Sequence, residues 1–336
     1  MDKVIEELVA AAGLSSVSSA AVVTPQFPES RHVVFLMLGG RGSLQAVVKV
    51  ARRREDHGLC TEAAALRRLR ALWPEGGDTY PTVLSATTWR GHDVLAESAV
   101  DGRTLTHRQV RRAPSRYVPA YLSWVASLPR AGRGDSHGWL TLVQDSLTTL
   151  ERHIEPDAPE RKLSTRIARF LDPLGQVPLQ PTFEHGDMSA PNLLWRRAGP
   201  RVGVVDWELG REHGMPAYDA AVFLAFAAFA TAGVHGTEAE VEVFRREFLT
   251  GDGRGRRLFV EFLRQIDVPD AAVDHVLVAI WTRYALNVFS RLAPRSDRQP
   301  ADDVAPLQRR KALAADFRAG RNHALWRALA DANGLW

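Results

Sequence analysis

The chain has 336 residues, of which 45% are hydrophobic and 24% charged, and this composition excludes a disordered or fibrous protein. Its formal charge of +4 suits a phosphate-bearing partner or simply an arginine-rich composition, and no basic stripe interleaved with aromatic residues favours nucleic-acid binding. We therefore expect no nucleic-acid partner. The single cysteine, Cys60, excludes an intrachain disulfide and favours a reducing compartment, so we expect a cytoplasmic location.

The two segments that could indicate membrane targeting both lack the required pattern. The N-terminal residues have neither the basic start nor the apolar run of a signal peptide. The longest apolar stretch, residues 220–233, is too short to cross a bilayer and instead predicts a buried helix. We therefore expect no membrane partner.

The first hundred residues predict an antiparallel sheet with helices at its side. Residues 2–13 have the spacing of a short amphipathic helix. Two β-branched runs, 32–38 and 44–50, flank a glycine-rich turn and predict a hairpin. Residues 62–72 predict a helix that Pro74 ends. Further strands are predicted at 83–88 and 93–98.

The rest of the chain predicts a mainly helical domain that contains one small hairpin. Its predicted helices cover residues 117–128, 139–154, 159–171, 217–230, 238–249, 257–265, 270–292 and 308–331, and its predicted hairpin covers 192–195 and 201–206. We expect an N-terminal lobe at residues 1–100 and a C-terminal lobe at 103–336. The predicted fold class is α+β.

The polar residues around the small hairpin predict magnesium-dependent phosphoryl transfer. His185-Gly186-Asp187 is followed by Asn192 and, after the next strand, by Asp206. Asp187 has the chemistry of a base that accepts a hydroxyl proton. Asn192 and Asp206 offer the oxygen ligands that magnesium prefers. Singly, each residue is better explained as a turn or cap residue, but their combination beside two strands favours a catalytic site.

The positive charge that phosphoryl transfer requires is predicted at Lys49. Only four of the 43 basic residues are lysines, and Lys49 lies inside an apolar strand. A compact ammonium suits contact with phosphates, and Glu62 on the next helix is its predicted partner. The alternative is a strand lysine that only discourages edge-to-edge aggregation.

These motifs resemble the aminoglycoside phosphotransferase and choline kinase family of small-molecule kinases. The resemblance covers the lysine strand with its helix glutamate, the His-Gly-Asp loop with its asparagine, and the tripeptide Asp206-Trp207-Glu208. It implies a bilobal protein-kinase-like fold with the nucleotide between the lobes. It also implies that Lys49 contacts the phosphates of ATP or GTP, that Asp187 is the base, and that Asn192 and Asp206 hold Mg²⁺.

By the same resemblance, a hinge between the lobes lies at about residues 97–102. Backbone groups at Glu97, Ser98, Ala99 and Val100 are then expected to bind the nucleobase, and ATP and GTP both remain open. The phosphate-covering loop is expected at residues 24–31, which contain no glycine. Gly40-Arg41-Gly42, just before the lysine strand, is interpreted as a hairpin turn.

The acceptor is predicted only as a small-molecule alcohol. Residues 281–336 contain ten Lys or Arg against five Asp or Glu, which disfavours a polycationic acceptor and favours a sugar or natural product. Glu208, Glu212, Asp302 and Asp303 could still form an acidic subsite, so an aminoglycoside-resistance phosphotransferase stays open. The alternative from another class is a catalytically silent kinase-like binding module.

Overall fold

The computed structural model describes residues 3–23, 31–130, 138–177, 179–197, 201–292 and 307–336. The chain forms two compact units, each built from two segments. Unit 1 comprises Met1–Thr106 and Phe183–Glu212, and unit 2 comprises His107–Thr182 and His213–Trp336. The segment that carries the predicted catalytic loop therefore packs with the N-terminal segment.

Unit 1 contains a five-stranded antiparallel sheet. Its strands are β1 (Ser19–Val23), β2 (His32–Leu38), β3 (Leu44–Ala51), β4 (Val83–Trp89) and β5 (His92–Ser98), in the order β1-β2-β3-β5-β4. The predicted hairpin of β2 and β3 is confirmed, with a short turn of 3₁₀-helix at Gly40–Gly42. Strand β1 was not predicted from the sequence, because this edge strand is largely exposed and lacks alternation of apolar and polar residues.

Two helices in unit 1 contact different faces of this sheet. Helix α1 (Lys3–Ala11) packs through Leu8 against a cluster that includes Val48 and Val50. Helix α2 (Gly58–Leu72) packs through Leu59 and Ala63 against Ala51 and Leu95. Because side chains alternate along a strand, Lys49 projects from β3 on the α2 face. Helix α2 begins four residues before the predicted start at Glu62.

The two segments of unit 1 together contribute short strands around the predicted catalytic loop. Strand β6 (Arg103–Thr104), β8 (Leu193–Trp195) and β9 (Val202–Val204) form a three-stranded antiparallel sheet in the order β6-β8-β9. The predicted hairpin is thus confirmed with shorter strands. Strands β7 (Thr182–Glu184) and β10 (Arg211–Gly214) lie at the two ends of this segment.

Unit 2 is mainly helical. Its helices are α3 (His107–Arg112), α4 (Pro114–Ala126), α5 (Gly138–His153), α6 (Pro159–Leu171), α7 (Tyr218–Ala232), α8 (Thr237–Phe244), α9 (Arg254–Gln265), α10 (Val273–Leu292), α11 (Leu307–Ala319) and α12 (Arg321–Ala332). The predicted single helix at 308–331 is wrong, since Gly320 has an extended backbone and separates α11 from α12. Helix α8 ends earlier than predicted and continues as a π-helical turn, Arg245–Leu249.

The apolar segment that begins near residue 220 is helix α7, and nearly all of its side chains are buried. Within the part of the chain that the structure describes, no single helix is long and apolar enough to cross a membrane. One pair of helical segments, Tyr218–Ala232 and Thr237–Leu249, meets the length and composition criteria only when taken together, and it bends by 112° at its break.

Candidate active site

Lys49 lies at the centre of a buried cluster of charged side chains in unit 1. Its Nζ donates to Glu62 Oε1 at 2.6 Å and to Asp206 Oδ1 at 3.0 Å. Glu97 Oε1 lies 3.6 Å from the same nitrogen. Lys49 is paired across the β3–β5 ladder with Leu95, so Glu97, two residues further along β5, projects from the same face. The structure therefore places one ammonium among three carboxylates.

The charges of this cluster determine one another's protonation. Burial alone lowers the pKa of Lys49, but the carboxylates of Glu97, Glu62 and Asp206 outweigh it and hold that pKa well above its ordinary value. For Asp206, burial opposes ionisation, yet the charge of Lys49 lowers the net pKa. For Glu97, burial dominates over the attraction of Lys49 and raises the pKa to about 8. We infer that Lys49 is charged and that Glu97 holds a proton at neutral pH.

The raised pKa of Glu97 predicts that folding becomes less favourable as the pH rises. In the unfolded chain this carboxyl titrates near its ordinary value of 4.5, so between pH 4.5 and about 8 only the folded protein keeps the proton. The contribution of the Glu97 proton to the free energy of unfolding is complete below pH 4.5, and it is lost as the pH rises through about 8. Glu97→Gln should flatten this fall in the free energy of unfolding, as measured by urea denaturation at pH 5, 6.5 and 8.5.

The matched control is Glu75→Gln, which changes an exposed carboxylate in the same unit. Its pH dependence should follow the wild type. Equal slopes for wild type and Glu97→Gln between pH 5 and 8.5 would contradict the assignment of the proton to Glu97.

Asp187 lies in the loop between β7 and β8, where short hydrogen bonds fix its position. Ser189 Oγ donates to Asp187 Oδ1 at 2.8 Å, and Asn192 Nδ2 lies 3.3 Å from Asp187 Oδ2. The backbone N–H of Asp187 donates to His185 Nδ1 at 3.1 Å, so the proton of that ring is on Nε2, which donates to the Val205 carbonyl at 3.0 Å. The loop is thereby joined to the residue that directly precedes Asp206.

Gly186 has a structural role that no other residue type can fill at this position. Its φ is +87°, and a Cβ atom there would lie 2.8 Å from Leu209 Cβ and 3.1 Å from the Leu209 carbonyl oxygen. Since the backbone conformation and the close approach both require glycine, the Gly of the His-Gly-Asp motif is explained by packing.

Asp206 and Trp207 connect the loop to the lysine cluster. Asp206 has a left-handed backbone, φ +69°, two residues after the end of β9, and its side chain is 34% exposed. The next backbone N–H, that of Trp207, donates to Glu62 Oε1 at 2.9 Å. The fully buried Trp207 ring packs edge-on against Phe183, His185 and Tyr80. The left-handed turn thus exposes the carboxylate while the following residue anchors it.

The donor set of this site fits a hard divalent cation with a phosphate partner. With its amide nitrogen turned toward Asp187, Asn192 would offer its amide oxygen to a cation. Asp206 adds a partly exposed carboxylate, and such oxygen donors suit Mg²⁺. The ammonium of Lys49, 3.0 Å from Asp206 Oδ1, is a nearby positive charge of the kind that phosphate oxygens require.

The predicted nucleobase-binding residues occupy the end of β5. Glu97 has its side chain in the charge cluster, and Ser98 is held by the sheet, since its N–H donates to the Thr82 carbonyl at 2.8 Å. Ala99 and Val100 follow the last strand residue without regular structure, so they are the two predicted nucleobase-binding residues outside the ladder. Of the predicted phosphate-covering loop, residues 24–30 lie outside the described residues.

The predicted acidic subsite is only partly tested by the described residues. Glu212 forms a two-bond ion pair with Arg68, at 2.6 and 2.7 Å, which neutralises its charge. Burial raises the pKa of Glu208, and the charge of Asp206 raises it further. Asp302 and Asp303 lie outside the described residues. Glu212 is therefore a weaker candidate for contact with a polycation than its sequence position indicated.

Sequence reasoning missed three polar side chains around this site. Ser189 was not recognised as a donor to Asp187, and Glu97 was considered only for its backbone. His32, on β2, has its pKa lowered by burial first and by the charge of Lys49 next. A charged residue inside an apolar strand was the available signal for Glu97, whereas nothing in the spacing of Ser189 or His32 indicates the site.

Comparisons with known proteins show a matching family and similar solved structures for this chain. The model of the phosphotransferase enzyme family matches residues 26–259. A solved aminoglycoside phosphotransferase from Streptomyces rimosus, APH(3'')-Id, is 18% identical, with 84% of this chain and 99% of that chain covered and a TM-score of 0.50. The likeness confirms the predicted protein-kinase-like α+β fold. A search of the curated proteins finds no match.

Two further solved structures are also similar. The Streptomyces rimosus enzyme in complex with ADP and streptomycin is 16% identical, with 84% of this chain and 98% of that chain covered and a TM-score of 0.47. A choline/ethanolamine kinase family protein from Mesorhizobium loti is 16% identical, with 98% of each chain covered and a TM-score of 0.49.

Proposed function

Because the chain belongs to the phosphotransferase enzyme family, we propose that it transfers the terminal phosphoryl group of ATP or GTP to a hydroxyl group of a small molecule. The observation that carries this proposal is the arrangement around Lys49, which is hydrogen-bonded to both Glu62 and Asp206. Asp187 and Asn192, in the same unit, lie in a loop that is hydrogen-bonded to the residue before Asp206. The proposal is thus supported by hydrogen bonds that connect its candidate residues within unit 1.

Each residue has a separate role in the proposed reaction. Asp187 accepts the proton of the acceptor hydroxyl as its oxygen attacks the γ-phosphorus, and the bond from that phosphorus to the bridging oxygen breaks to release the nucleoside diphosphate. Lys49, oriented by Glu62, contacts the phosphates. Asn192 and Asp206 would hold Mg²⁺, which would neutralise charge on the phosphate oxygens.

The proposed acceptor is a neutral or anionic alcohol such as a sugar or natural product. Residues 281–336 carry twice as many basic as acidic side chains, and the carboxylate of Glu212 is paired with Arg68. Both features disfavour a polycation. Aminoglycosides remain the specific alternative.

A nucleotide-consumption screen tests this proposal. ATP and GTP would each be combined with Mg²⁺ and a panel of sugars, macrolides, choline, amino alcohols and aminoglycosides. We expect consumption that depends on at least one acceptor and yields a phosphomonoester, detectable by mass spectrometry. Turnover confined to aminoglycosides would support the alternative, whereas nucleotide binding without transfer to any acceptor would favour the silent binding module.

Asp206→Asn tests the proposed metal ligand. Asparagine tolerates the left-handed backbone, so the turn should be preserved, but the amide is a weaker Mg²⁺ ligand than the carboxylate. We expect nucleotide affinity in the presence of Mg²⁺ to fall at least about tenfold, while affinity without Mg²⁺ is unchanged or slightly higher because a negative charge has been removed. Isothermal titration calorimetry with and without Mg²⁺ measures both quantities.

Glu212→Gln is the control, because it also removes one carboxylate from unit 1. The partner of Glu212 is the exposed Arg68 and not Lys49. Its Mg²⁺-dependent affinity should equal that of the wild type. If Asp206→Asn kept the full effect of Mg²⁺ on nucleotide binding, Asp206 would not be a metal ligand.

A further inference from the structure

A second group of metal-ligating side chains lies in unit 1, on elements that also carry residues of the proposed active site. His57 directly precedes α2, Cys60 is in its first turn, and Asp93 is on β5. The potential ligand atoms of these three residues all lie within 4.8 Å of one another. This is the one such group of His, Cys, Asp and Glu ligands found among the described residues.

The three side chains already converge on one point. Asp93 Oδ2 lies 2.9 Å from His57 Nδ1 and accepts a hydrogen bond from Cys60 Sγ at 3.2 Å. Zn–N, Zn–O and Zn–S bonds of about 2.0–2.3 Å in tetrahedral geometry place neighbouring ligand atoms about 3.3–3.8 Å apart. The ligand atoms would need to move by about 1 Å or less to reach that geometry.

Burial and access also suit a bound ion. The Asp93 side chain is 10% exposed and held by the sheet, so it provides a fixed ligand. His57 and Cys60 are exposed, which gives an ion a route from solvent and gives the imidazole ring room to turn. A rigid carboxylate at the base of two accessible ligands is therefore available without unfolding any element.

We propose that His57, Cys60 and Asp93 form a binding site for a borderline-soft divalent cation, with Zn²⁺ as the preferred ion. A thiolate and an imidazole favour Zn²⁺ over Mg²⁺, which prefers oxygen ligands. One thiolate and one carboxylate neutralise the two charges of the ion, and solvent water completes its coordination. On binding, the sulfur–metal bond replaces the S–H bond, and the released proton passes to solvent.

Such an ion would join the first turn of α2 to β5. Glu62 lies two residues after Cys60, and Glu97 lies four residues after Asp93, so the ion would fix the relative position of two elements that surround Lys49. The site is separate from the proposed magnesium ligands Asn192 and Asp206, and it has no direct part in the proposed transfer.

Cobalt substitution tests the site because Cys60 is the only cysteine in the chain. A thiolate-to-cobalt charge-transfer band in the near ultraviolet must then come from this residue, and Co²⁺ at an all-oxygen site gives no such band. We expect titration of the full-length protein with Co²⁺ to give a band that saturates at one equivalent. Addition of Zn²⁺ should abolish the band by displacement and should raise the midpoint of thermal unfolding.

Substitutions of the three ligands distinguish a three-residue metal site from Co²⁺ binding by the Cys60 thiol alone. Cys60→Ser should abolish the band, and His57→Ala and Asp93→Asn should each weaken Co²⁺ binding at least about tenfold. His92→Ala is the control, since His92 neighbours Asp93 but its Nδ1 contacts the Ala51 carbonyl instead. The proposal is overturned if the wild type gives no band, or if the His57 and Asp93 variants bind Co²⁺ as tightly as the wild type.

Discussion

Asp187→Asn should lower the rate of phosphoryl transfer by about 10²–10⁴-fold, the range that general-base catalysis contributes. The substituted amide has nearly the same shape as the carboxylate but cannot take the proton of the acceptor hydroxyl. Its oxygen can still accept the bond from Ser189 Oγ, and the side-chain contact with Asn192 Nδ2 is lost. The backbone carbonyl of residue 187 still accepts from Asn192 Nδ2 at 3.2 Å, so the loop should keep its conformation. Nucleotide binding with Mg²⁺ should remain within a few-fold of the wild type. Steady-state kinetics with the best acceptor from the screen, combined with nucleotide titration, measures both effects.

Ser189→Ala is the matched control for Asp187→Asn. It removes the 2.8 Å hydrogen bond to Asp187 but leaves the carboxylate in place. Because Ser189 is argued only to position Asp187, we expect a loss of kcat that is smaller by at least about tenfold than that of Asp187→Asn. Equal turnover by Asp187→Asn and wild type with the same acceptor would show that Asp187 is not the base.

Lys49→Met should cause the largest combined loss of stability and nucleotide binding. The substitution leaves the buried carboxylate of Glu62 and the partly exposed carboxylate of Asp206 without their ammonium partner, beside the buried, protonated carboxyl of Glu97. Removing one member of a buried ion pair costs about 3–5 kcal/mol, and the cost should shrink at lower pH as the remaining carboxyls take up protons. Urea unfolding at pH 5.5 and pH 8 measures the cost, and nucleotide titration measures the loss of phosphate contact.

A second substitution separates the structural role of Lys49 from its functional role. In the double variant Lys49→Met with Glu62→Gln, both members of the shortest ion pair of Lys49 are neutral, and much of the lost stability should return. Nucleotide affinity should stay low because the phosphates still lack their cation. Recovery of nucleotide affinity together with stability would mean that Lys49 acts only through the fold.

Lys162→Ala controls for the loss of a lysine, since Lys162 is exposed on α6. It should leave the free energy of unfolding within about 0.5 kcal/mol of the wild type. A loss as large as that of Lys49→Met would indicate that the effect depends on net charge and not on the buried cluster.

Local sequence patterns predicted most secondary structure because the required information lies within short windows. The hairpin of β2 and β3 follows from two β-branched runs about a glycine-rich turn, and helix α6 begins and ends at the predicted residues. The errors occurred where a local pattern is weak. Strand β1 depends on pairing with β2, and the break at Gly320 competes with good helix-forming sequence on both sides.

The composition of the candidate site was also available from the sequence. Each predicted site residue has the chemistry that one step or ligand of phosphoryl transfer requires; these residues are Lys49, Glu62, Asp187, Asn192 and Asp206. Their prediction depends on residue type and spacing, and it does not need the three-dimensional distances. The roles assigned to these residues remain proposals that the substitutions above test.

The tertiary structure alone decided how these charges interact. Lys49 and Asp206 are 157 residues apart, and no local pattern predicts their 3.0 Å contact or the inclusion of Glu97 in the same buried cluster. The proton on Glu97 follows from burial among like charges, which arises only when β3, β5 and the segment after β9 pack together. The sequence by itself thus determined which groups are present and the reaction class they favour. Packing determined which of them are ionised, because desolvation and charge–charge distance are properties of the folded chain.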